Sequence, residues 1–234
     1  MKNIHKQAGM SLIETMIALA MSLIVTSSMI ALMGNSMGSA TRIIEMSQLT
    51  DELRNAMSMM SRDVRRAYYN SNNLYCFANS DCGASGGPAE QSSDILDSAG
   101  GVLAADTSCF VFGLDRNYDG NANNDGGGGF GLGTTNGVGV IKMWVGDSVP
   151  PDCGNINDPD PNDWVAVTDP DFVDVTGFRV SGQDTFENTL EQESGTLTQR
   201  VRYVEMEING QLIMDNTITR TIRDKVNVRN HFFL

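Results

Sequence analysis

"KQAGMSLIETMIALAMSLIV", residues 6–25, sets a lysine and two small residues before an apolar run that holds one acid, Glu14. The run extends over residues 10–33, 24 positions with that single charge. As a helix it measures about 36 Å at the usual rise per residue, enough to cross the hydrocarbon of a bilayer. Lys2 and Lys6, with His5, form a short basic leader that belongs on the cytoplasmic side while the remainder is exported. A secretory signal peptide carries its cleavage site after the apolar region. Here the small residues Ala8 and Gly9 come before it, so cleavage at that point strips the leader and keeps the apolar helix on the mature chain.

Gly9 followed by "MSLIETMIALAMSLIV" resembles the type III signal of type IV pilins and type II secretion pseudopilins. The resemblance implies that a prepilin peptidase cuts between Gly9 and Met10, methylates the new amino terminus of Met10 and leaves Glu14 at the fifth mature position. Met10 stands where that family most often has phenylalanine. An ionised carboxylate in hydrocarbon costs several kcal/mol, so it is normally paired with a positive group at the same depth. The amine of Met10 lies about 6 Å from Glu14 along the helix axis by rise per residue. In a packed filament the amine of an incoming subunit neutralises Glu14 of its neighbour and sets the axial register, which makes Glu14 a subunit-docking charge. The plainer alternative is a Glu14 that snorkels to the interface near the helix start.

Past the apolar run, Gly34 and Gly38 with Asn35 and Ser36 mark a weak point where bending or local melting is cheapest. The helix then continues, because Ile43, Met46, Leu49, Leu53, Met57, Met60, Val64 and Tyr68 recur in steps of three and four. Asp51, Glu52, Arg54, Arg62, Asp63, Arg65 and Arg66 fall on the other side, so this half is an amphipathic helix that covers a sheet. "LRNAMSMMSRDVRRAYY" also resembles the post-membrane helix of PilW-like minor pilins and of pseudopilin J.

Strands are predicted at "CFVFGL" (109–114) and "GVIKMWV" (139–145), then at "FVDVTGFRVS" and "QRVRYVEMEI". A hairpin turn at Asn209-Gly210 leads into "QLIMDNTITRTI", and "KVNVRN" (225–230) is a final strand. The glycine run 126–129 is expected to be a surface loop. The fold class is therefore α+β, pilin-like: a long N-terminal helix, membrane-spanning in its first half, packed on an antiparallel β-sheet head with long loops. The organisation is 1–9 leader, 10–33 membrane and filament-core helix, 34–69 amphipathic helix and 70–234 β-rich periplasmic head.

Composition narrows the functions. The chain has 29 Asp+Glu against 16 Lys+Arg, a formal net charge of -13, and after residue 9 only short arginine groups, not the basic patch that nucleic-acid phosphates require. Cys76, Cys82, Cys109 and Cys153, an even number with no CxxC pair, read as two disulfides because the N-terminus directs the chain out of the cytosol, the alternative being four reduced buried thiols; zinc-ligand spacing and companion histidines are missing. Three pairings are open, of which Cys76–Cys82 with Cys109–Cys153 is preferred. "DRNYDGNANND" (115–125) spaces Asp115, Asn117, Asp119, Asn121 (through its carbonyl) and Asn123 as the first half of an EF-hand-like calcium loop, with Gly120 at the turn. Gly126 stands where the bidentate acid belongs, and Asp125 is the nearest substitute; the alternative is a long exposed turn. Asp158, Asp160, Asn162 and Asp163 form a weaker cluster, stiffened by prolines. Loss of the leader removes His5 and leaves His231, so nothing supports an enzyme.

The reading that follows is a PilW-like minor pilin of a type IV pilus. As the resemblance implies, it is processed by prepilin peptidase, held in the inner membrane with its head in the periplasm, and passed by the assembly platform into the fibre beside other minor and major pilins. It would help to initiate assembly at or near the tip. The alternatives are a pseudopilin J-like subunit of a type II secretion system and a non-polymerising, membrane-anchored calcium-dependent binding protein or adhesin.

Overall fold

Fifty-three residues, Leu12–Val64, form one helix, α1, without interruption at Gly34 or Gly38. The computed structural model describes residues 11–67, 69, 95–114, 127–146, 152–158, 163–192, 195–228 and 232–233, with only the backbone over 183–192, 195–201 and 232–233. The chain divides into two compact units, Met1–Ser47 and Gln48–Leu234.

In the first unit the described residues are helix with almost nothing against them. Residues 11–44 are all exposed, including Leu12, Ile17, Leu23, Ile30 and Met33. An 18-residue window here has a mean hydropathy of 2.2, long and apolar enough to cross a membrane. Its hydroxyls are turned back on the backbone. Thr15 donates to Leu12 O at 2.7 Å, Ser22 to Leu19 O at 2.8 Å and Ser28 to Val25 O at 2.8 Å, so these polar side chains need no water.

In the second unit α1 becomes a core element. Leu49, Leu53, Ala56, Met57, Met60, Ser61 and Val64 are buried, the predicted stripe from Leu49 onward. Ile43, predicted to belong to it, is 65% exposed and Met46 is half-buried, because the packed unit starts only at Gln48. The helix rests on a sheet in the order β6-β7-β8: β6 is Val173–Gln192, β7 Gly195–Leu212 and β8 Thr219–Asn227, all antiparallel. The Asn209-Gly210 turn is corrected here, since β7 runs straight through that pair. A Cβ on Gly210 would lie 3.0 Å from Leu53 Cδ2, so this glycine lets sheet and helix approach. The chain turns instead at 213–218, inside "QLIMDNTITRTI", where Asp215 Oδ1 accepts from Thr217 N at 3.0 Å and Leu212 N donates to Ile218 O at 3.1 Å. "KVNVRN" is likewise corrected: 225–227 end β8, and the last strand is β9, Phe232–Phe233, which pairs with β7 at Gln199 and Arg200.

A second sheet has the order β1-β2-β3-β4-β5, with β1 Leu96–Asp97, β2 Cys109–Phe112, β3 Gly128–Thr135, β4 Val138–Trp144 and β5 Trp164–Ala166. β2 and β4 match the predicted strands to within a few residues. β3 overturns the surface-loop expectation for 126–129 in its described part, because Gly128 and Gly129 lie buried in it; Gly126 lies outside the described residues. They face the bulky residues of β2: a Cβ on Gly128 would come within 2.6 Å of the Phe112 ring, and one on Gly129 within 2.8 Å of Val111. The β3–β4 hairpin turns at Asn136-Gly137, with φ of 54° and 82°, the left-handed pair that a two-residue hairpin needs. Phe110, packed on Phe130 at 5.9 Å and on Phe178 of β6 at 6.4 Å between ring centroids, joins the two sheets. Thr107 and Val180 exchange backbone hydrogen bonds of 2.9 Å beside it.

Candidate functional site

Ser11 starts α1. Its backbone carbonyl accepts from Glu14 N at 3.0 Å and from Thr15 N at 3.3 Å, and its Oγ accepts from Glu14 N at 3.4 Å. Serine with an acid three residues on is the arrangement that satisfies the free N–H groups of a first turn. Glu14 therefore has a local role, placing negative charge at the positive end of the helix dipole, and among the described residues it has no ion-pair partner. Around it are exposed Leu12, Ile13, Met16 and Ile17, so the surface is apolar with one acid near its end. Gly9 and Met10, the predicted cleavage pair, lie outside the described residues.

The head carries the remaining predicted positions. Cys109 and Cys153 form a disulfide, with Cα atoms 6.0 Å apart, as the preferred pairing has it; Cys76 and Cys82 lie outside the described residues. The bond ties β2 to a short 3₁₀ turn, Cys153–Asn155, in a buried cluster with Val111, Trp144, Ile156 and Trp164. The calcium-loop positions 115–125 are outside the described residues, as are Asp160, Asn162 and His231. Among the described residues no group of three or more His, Cys, Asp or Glu side chains is placed to hold a metal.

Across the outer face of β6, β7 and β8 runs a charge ladder the strand patterns did not reveal. Arg179 is ion-paired with Asp106, Glu207 stands opposite Arg179 in register, and Arg223 Nε donates to Glu207 Oε2 at 2.7 Å. Asn209 Nδ2 donates to Glu207 Oε1 at 3.0 Å; that bond first, and Arg223 second, hold the Glu207 carboxyl below the usual carboxylate range. Buried Lys142, also unforeseen, donates from Nζ to Ile156 O at 2.9 Å. The capping by Ser11 went unread although the S-x-x-E spacing signals it, whereas the ladder and Lys142 depend on strand register and on a distant carbonyl and leave no such signal.

The family described as "Prepilin peptidase-dependent protein B" matches residues 42–228, and the "Prokaryotic N-terminal methylation motif" matches residues 4–30. The first covers the buried half of α1 and strands β1 to β8; the second covers the apolar segment with Glu14. No curated protein and no solved structure matches the chain.

Proposed function

Because the chain belongs to the prepilin peptidase-dependent protein B family and is a type IV pilin-like subunit, we propose that it is a PilW-like minor pilin of a type IV pilus. In this reading prepilin peptidase cuts between Gly9 and Met10 and methylates Met10. The apolar half of α1 holds the subunit in the inner membrane and then packs into the fibre, where the subunit helps to initiate assembly at or near the tip. The single observation that carries it is Glu14: one acid on an exposed apolar helix, with no ion-pair partner among the described residues. Such a charge is costly in lipid until a positive group meets it, and a newly made terminal amine on a neighbouring subunit supplies one.

The experiment follows the full chain in cells. Mass spectrometry of the fibre fraction is expected to show N-methylated Met10 as the first residue. Glu14→Leu is expected to stay in the membrane fraction and to be missing from sheared fibres. An intact residue 1 in fibres, or Glu14→Leu incorporated at the normal level, would sink the reading in favour of a non-polymerising anchor.

A further inference from the structure

A groove of about 420 Å³ lies between α1 and β8 in the head, lined from the helix by Arg54, Ser61, Arg62 and Arg65 and from the strand by Arg223 and Asp224. Helical spacing sets Arg54, Ser58, Ser61 and Arg65 along one side of α1. β8 ends its sheet, and among the described residues no strand pairs with its outer edge. Three helix arginines and one carboxylate meet here, in a chain whose formal net charge is -13, while the Arg223 guanidinium is turned to Glu207 on the outer face of the sheet. Arg223 is engaged by Glu207 at 2.7 Å and Arg62 by Asp63 at 3.6 Å, while Arg54 and Arg65 have no ion-pair partner among the described residues.

Asp224 shows what the two walls hold between them. Its Oδ2 accepts from Ser61 Oγ of the helix at 2.5 Å, and its Oδ1 accepts from the Lys225 backbone N–H of the strand at 2.9 Å. One carboxylate is thus bound by a helix hydroxyl and a strand N–H, and two further arginines beside it are unused.

We propose that this groove is the docking site for an extended acidic segment from the head of an adjoining subunit, laid along β8 as an added strand with its carboxylates on Arg54 and Arg65. An unpaired strand edge supplies backbone hydrogen bonds, and charge-assisted bonds to arginine supply selectivity. The charges of β8 itself, Arg220, Arg223, Asp224 and Lys225, keep indiscriminate strands away. The proposal rests on the reading of the chain as a filament subunit and adds where a neighbour's head is held.

The test puts the photo-cross-linking residue p-benzoylphenylalanine at Ser58 of the full chain in fibre-forming cells and maps the adduct by mass spectrometry. The expected adduct is an Asp/Glu-rich peptide of another subunit with the same N-terminal signal. In R54E/R65E its yield is expected to fall about tenfold or more, as the loss of two charge-assisted bonds requires. Adducts to lipid or to a neutral or basic segment, no adduct, or a yield unchanged in R54E/R65E overturn the proposal. Both arginines are exposed, and an unchanged melting temperature of R54E/R65E verifies its fold. N-methylated Met10 in the same sample separates failure of the groove from failure of the filament reading.

Discussion

Gly210 has no side chain because Leu53 occupies the space, and the effect of giving it one can be stated. Gly210→Val places new methyl groups against Leu53 Cδ2, already 3.0 Å from an ideal Cβ, and against Val173. Overpacking of this kind costs about 1–3 kcal/mol, so the melting temperature of the full chain in detergent is expected to fall by several degrees. An unchanged melting point would show that helix and sheet are not pressed together there. The same residue explains a misreading: Asn-Gly is a local hairpin signal, and the chain has it at both 136–137 and 209–210. Only the first pair turns, with positive φ at both residues, whereas the second is held straight by a helix more than 150 residues earlier in the chain. No short window of sequence distinguishes the two cases.

At the scale of elements, α1 was legible and β3 was not. The stripe from Leu49 to Val64 repeats in steps of three and four, a pattern that only one buried helix face produces. Strand β3, "GGFGLGTT", offers no alternation, since its burial depends on glycine making room for the Phe112 ring and Val111 across the sheet. Complementarity of volume between strands leaves no period to read. The disulfide of this sheet gives a prediction at the same scale. It closes a separation of 44 residues, for which loop entropy gives about 4 kcal/mol. Cys109→Ala/Cys153→Ala in the full chain is expected to lose most of that amount by denaturant titration with β-sheet circular dichroism retained, and a loss under about 1 kcal/mol would mean that the cluster around it holds the 3₁₀ turn unaided.

For the whole molecule, a long helix and a β-rich head could be read from the order of the elements, but the point at which α1 joins the head's core could not. That point lies at Gln48, where the exposed helix gives way to buried side chains and where Glu52 Oε1 accepts from Asp169 N at 3.1 Å. Hydrogen exchange of the full chain in detergent is therefore expected to show residues 49–64 protected well beyond 36–47, since only the former open at the cost of the packed sheet. Equal protection in the two stretches would argue against the boundary. The chain has two tryptophans, Trp144 and Trp164, which meet edge to face at 5.4 Å in the same cluster as the Cys109–Cys153 bond. Disulfides quench nearby indole emission, so the fluorescence of the protein is expected to rise when a reductant opens that bridge, which would make it an optical gauge of redox state.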